Sequence, residues 1–74
     1  MKTAYKYIRF EKCETSDIEW WCYNKRSGHI IAVVEWEKRW KEYVFVFGQD
    51  TQWSRGCMQD ADAFIAQLEP PEGS

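Results

Sequence analysis

At 74 residues, with ten basic and twelve acidic side chains, the chain has room for one domain and lacks the global positive field that drives non-specific binding to nucleic acid. A chain this short buries only about 60% of the surface it exposes when unfolded, so a dense core has to supply its stability. The three cysteines are an odd number with no C-x-x-C pair, which argues against a secreted disulfide framework, while five Trp, four Tyr and four Phe offer the large rings such a core needs.

The N-terminal stretch MKTAYKYIRF carries positive charge but no apolar run behind it. It is expected to be neither a signal peptide nor a membrane span, and the protein is expected to stay in the reducing cytoplasm. From about Tyr5 to Cys13, apolar and polar residues alternate enough to predict a half-buried strand. Cys13-Glu14-Thr15-Ser16-Asp17 is polar and turn-forming, and Ile18 to Asn24 reads as a second strand. Asn24-Lys25-Arg26-Ser27-Gly28 predicts a hairpin loop, with Gly28 available for a positive φ. His29 to about Glu37 is a third strand, rich in β-branched residues and expected to be central.

Glu37-Lys38-Arg39-Trp40-Lys41-Glu42 predicts the next hairpin turn, with an aromatic at its tip, before a fourth strand from Tyr43 to Phe47. Gly48-Gln49-Asp50 ends that strand, and Thr51 to Ser54 is a candidate fifth strand carrying Trp53. From Cys57 the period changes. Met58, Ala61, Phe64, Ile65 and Leu68 recur at helical spacing, Asp60 and Asp62 are placed to complement the helix dipole, and Pro70 and Pro71 stop the helix. The predicted architecture is therefore α+β, an antiparallel β-meander of four or five strands followed by one C-terminal helix. Residues 1–69 form a single domain and residues 70–74 are expected to be a disordered tail.

The predicted sheet is apolar on both faces. One parity holds Trp20, Cys22, Ile30, Ala32, Val34, Trp36, Tyr43, Phe45 and Phe47, and the other holds Trp21, Tyr23, Ile31, Val33, Val44 and Val46. A single helix of about three turns covers one face only. The face left over must close on itself as a partial barrel, pack against a second copy as a homodimer, or receive a partner.

Catalytic signals are weak. Cys13, Cys22, His29 and Cys57 include zinc-type ligands, but their spacing matches no knuckle or ribbon. A Cys-His nucleophilic pair needs an orienting third group and a pocket, and the single His lies at a hairpin mouth. Glu19, Glu35 and Glu37 alternate with apolar residues as solvent-facing strand positions do. No enzyme activity, metal, cofactor or small-molecule substrate is expected. Two binding readings remain. Trp36-Glu37-Lys38-Arg39-Trp40-Lys41 interleaves rings and cations as single-strand nucleic-acid binders do, with Lys25, Arg26 and Arg55 able to join if the fold brings them near. Trp21, Tyr23, Trp40 and Trp53, together with Arg26, Arg39 and Arg55, have instead the chemistry of protein-interface anchors.

Three motifs also carry a resemblance. Trp20-x-Cys22-x-Asn24-x-x-Ser27-Gly28, then Trp36-x-x-x-Trp40-x-x-Tyr43-x-Phe45, then Gly56-Cys57-Met58-x-Asp60 ending in Phe64-Ile65-x-x-Leu68 together resemble a family of small uncharacterised proteins of bacteria and their phages. The resemblance spans about Tyr7 to Leu68. It departs at the turn between the two Trp, where Lys38-Arg39 stands in place of the family's Gly-Pro. It implies a shared fold and a phage or mobile-element origin, and nothing about chemistry. The expected function is a non-catalytic protein-interaction module, with a protein partner or a second copy as its target and no contact with membranes. The alternative is a single-stranded nucleic-acid binder with the meander-plus-helix topology of dimeric, coactivator-type DNA binders.

Overall fold

In the chain's computed structural model, which describes residues 1–73, alternating apolar residues and well-formed turns produce four strands, and a 3.6-residue period then produces one helix. The strands are β1 (Ile8–Lys12), β2 (Glu19–Asn24), β3 (Ile30–Glu37) and β4 (Glu42–Phe47), and the helix is α1 (Arg55–Ala66). The sheet is an antiparallel meander in the order β1-β2-β3-β4, so the α+β meander with a C-terminal helix expected from the sequence is the architecture observed. β1 and β4 are opposite edges of the sheet and do not pair with each other. Thr51–Ser54 is irregular and adds no fifth strand; Trp53 turns back instead to pack on Phe45 and Phe47, at 6.0 and 5.0 Å between ring centroids.

The hairpins have local causes. In the β2–β3 loop the Asn24 side-chain Oδ1 accepts from the backbone N–H groups of Arg26 and Ser27, and Gly28 takes a φ of +77°, which a side chain disfavours. The β3–β4 loop ends on Lys41 at φ 54°, with the Lys41 N–H donating to Glu37 O.

Helix α1 starts two residues earlier than its periodicity predicts, because Ser54 Oγ caps it by accepting from the Cys57 N–H at 3.1 Å. Asp60 and Asp62 therefore lie beyond the first turn, which holds Arg55 and no acid, so the expected dipole compensation is not made. The helix ends at Ala66 with Gln67 as its C-cap, before either proline, and Gln67 also ties the helix end to the N-terminal segment. Its side-chain amide donates to Lys2 O and accepts from the Lys2 N–H, both at 2.8 Å.

The core lies between α1 and one face of the sheet. Ala61 and Phe64 of the helix are buried against Ile8, Phe10, Cys22, Ala32 and Val34, with Tyr5 closing one side. Phe64 stacks on Phe10 with ring centroids 3.8 Å apart and takes Trp20 edge-on at 5.1 Å. Met58, expected on the apolar stripe, is 48% exposed instead. A bulge between β2 and β3 also alters the expected parity, since Tyr23 pairs with Ile30 while Cys22 pairs with Ala32. Ile31, not Ile30, therefore packs against the core.

Candidate functional site

The uncovered face of the sheet is the main surface the fold leaves free. One row in register crosses all four strands, Glu11 beside Trp21, Val33 and Val46. A second places Glu19, Glu35 and Val44 side by side, and Arg9 sits opposite Tyr23. None of these residues is buried, whereas the opposite parity supplies all the buried strand residues. Trp21 is fixed by its indole N–H donating to Glu19 Oε2 at 3.0 Å, and the Arg9 guanidinium lies over the Tyr23 ring at 4.2 Å while pairing with Glu11. The result is an apolar centre, Trp21, Tyr23, Val33, Val44 and Val46, with ordered aromatic side chains.

Its border is acidic. Glu19 stands directly opposite Glu35, and Glu37 opposite Glu42. Like charges facing each other across strands cost stability, and among the described residues three of these four carboxylates, Glu19, Glu35 and Glu42, have no ion pair. Glu37 does have one. Arg39 donates to both of its oxygens, Nη2 to Oε1 at 3.3 Å and its backbone N–H to Oε2 at 3.1 Å, and these hydrogen bonds hold the Glu37 carboxyl below the usual carboxylate range.

The residues expected to form one site are distributed over three places. Trp21 and Tyr23 lie on the open face. Trp36 lies on the other face, with its ring edge-on to Tyr43 at 5.0 Å, at the end of a groove it shares with Ile65, Leu68 and Pro70. Lys38, Arg39, Trp40 and Lys41 form the exposed β3–β4 loop, where Trp40 is 64% exposed and Arg39 is engaged by Glu37. The ring-and-cation stretch from Trp36 to Lys41 is thus divided, with one Trp packed down and one cation neutralised. Arg26 and Trp53 lie at the opposite end of the sheet, together with Arg55 at the helix start. The eight residues of β3, at about 3.3 Å each, separate the two ends by roughly 25 Å, so Arg26 and Arg55 cannot extend a patch centred on Trp40.

A different grouping does form at that far end. Lys6, Tyr7, Lys25, Arg26, Trp53 and Ser54 line an open groove of about 820 Å³. Lys25 Nζ donates to Tyr5 O at 2.9 Å, leaving Lys6 and Arg26 as the freer cations. Sequence reasoning missed Lys6 and Tyr7 because nothing in the local pattern shows that the N-terminal segment folds back beside the β2–β3 loop.

Cys22 is buried beside Cys57, and burial first, then the neighbouring thiol, push its thiol up to about 12. All three cysteines are free. Among the described residues no group of three or more His, Cys, Asp or Glu is arranged to hold a metal, and no helix is long and apolar enough to cross a membrane. Comparison of the chain with family models, with curated proteins and with solved structures finds no match.

Proposed function

We propose that the protein is a non-catalytic protein-interaction module, and that its docking surface is the open sheet face centred on Trp21 and Val33. The observation that carries this reading is the row Glu11, Trp21, Val33 and Val46, which crosses the whole sheet without an element over it. A partly buried Trp held by a hydrogen bond is a ready anchor, since it loses little side-chain entropy on binding. The glutamates around it favour a partner segment that brings Lys or Arg to the rim and apolar side chains to the centre. Face-to-face packing of two copies would set these carboxylates against one another, so the same surface argues against that form of homodimer.

The test is a photo-reactive residue at position 33, irradiated in extract of the cells that naturally make the protein, with the cross-linked peptide sequenced. A discrete adduct to a basic, apolar-containing segment is expected, reduced about tenfold or more by Trp21→Ala. Glu35→Gln is expected to weaken the same adduct while raising stability by about 0.2–1 kcal/mol, because it relieves the Glu19–Glu35 repulsion. Adducts that are indifferent to Trp21→Ala would overturn the reading.

A second reading is favoured by the groove of Lys6, Tyr7, Lys25, Arg26 and Trp53, whose cations and rings suit a single-stranded nucleic acid. It predicts quenching of Trp fluorescence by an oligothymidylate with a steep salt dependence. Quenching that Arg26→Ala leaves unchanged counts against it.

A further inference from the structure

We infer that the β4 edge of the sheet is a pairing site for a second copy of the same chain, which joins it strand to strand as an antiparallel, two-fold symmetric dimer. This goes beyond the partner reading and does not depend on it.

The two edges of the sheet are finished differently. At the β1 edge the preceding segment folds back as a cap, with the Phe10 N–H donating to Thr3 O and the Tyr5 N–H donating to Ile8 O, both at 2.8 Å. At the β4 edge, no such cap is formed among the described residues. The Gly48 N–H donates to Ile31 O, which sets the parity of the β3–β4 ladder. Glu42, Val44 and Val46 direct their main-chain groups at β3, and Tyr43, Phe45 and Phe47 direct theirs outward. Among the described residues, none makes a hydrogen bond to those outward N–H and C=O groups. Edge strands are usually blunted by Lys, Pro or a bulge, and Tyr43–Phe47 contains none of these. Both sides of its end are bare, with Val46 47% and Phe47 52% exposed.

The occupant follows from the strand itself. Tyr43-Val44-Phe45-Val46-Phe47 reads aromatic, Val, aromatic, Val, aromatic in either direction. Antiparallel pairing about Phe45 therefore sets Tyr43 against Phe47 of the second copy, Val44 against its Val46, and Phe45 against its Phe45. These are the cross-strand pairs that stabilise sheets best. Each outward residue exchanges two hydrogen bonds with its opposite. A two-fold contact of this kind is self-complementary and consumes both β4 edges. With the β1 edges capped, growth stops at two copies. The dimer is one continuous sheet with a helix from each copy on the same side, and Val44 and Val46 from both copies extend the open face across the join.

The experiment is mass measurement by sedimentation from about 1 µM to about 1 mM, with amide exchange followed residue by residue by NMR. The expected result is a rise from 8.9 kDa to twice that mass. The amides of Tyr43, Phe45 and Phe47 should exchange freely when dilute and about tenfold or more slowly when associated. Val46→Lys, at an exposed site, should weaken association about tenfold or more. A chain synthesised with N-methylated Phe47, which deletes only an outward N–H, should do the same with an unchanged circular dichroism spectrum. A monomer at every concentration overturns the proposal. So does a dimer in which those three amides gain no protection, or one that Val46→Lys and N-methylation leave intact. None of these outcomes bears on the adduct at position 33, so the two proposals fail separately.

Discussion

Cys22 shows how much a single position carries in a chain this small. It sits among the most buried side chains, in the cluster with Phe64 and paired with Ala32 across the sheet, where it acts as a small core hydrophobe. Burial holds its thiol neutral and raises its pKa to about 12 from an ordinary 9.0. A group whose folded pKa is raised supports stability that is whole below its unfolded pKa and is lost as pH rises through the folded value. Urea unfolding at stepped pH should therefore show stability flat up to about pH 9 and falling toward pH 12, a slope that Cys22→Ala should reduce at a cost of about 1–2 kcal/mol near neutrality. Tyr5 and Tyr43, also raised by burial, act in the same direction. The loop aromatics were less legible. Trp36 and Trp40 have similar neighbours in sequence, yet one packs on Tyr43 and the other projects into solvent, because a turn residue has no strand parity to assign it a face.

Among the elements, the strands and their turns could be read to within a residue or two for β2, β3 and β4, since alternation and turn chemistry are local. The helix start was not. A serine three residues before Cys57 is a weak cue beside the stronger apolar period, and the cap moved the first turn back to Arg55. That turn carries a cation where the helix dipole favours an anion. Arg55→Glu is expected to stabilise the fold by about 0.3–1 kcal/mol at low salt, with the gain shrinking as salt is added, measured by thermal unfolding. The bulge that places Ile31 instead of Ile30 against the core left no trace in the sequence, since both residues are the same type and only the register of β2 on β3 distinguishes them.

For the whole molecule, the two chain ends are tied across 65 residues by Gln67, whose amide bonds the Lys2 backbone and approaches the Tyr5 hydroxyl. This tie holds the N-terminal segment that caps the β1 edge. Gln67→Ala should cost about 1–2 kcal/mol by the loss of these bonds, and it should speed amide exchange at Phe10 more than at β3. A large loss of stability with no change at Phe10 would show that the tie serves the helix end alone.

The sequence by itself determined the class of fold, the order of the elements, the central place of β3 and the presence of more apolar surface than one helix can cover. Those follow from periodicity, turn residues and length, which act between near neighbours. Only the tertiary structure decided which face the helix covers, that β1 and β4 do not pair, that Arg26 and Trp40 lie at opposite ends, and that one edge is capped while the other is bare. These depend on which distant segments meet. A two-faced apolar strand satisfies either parity equally well until the helix docks and the N-terminal segment folds back.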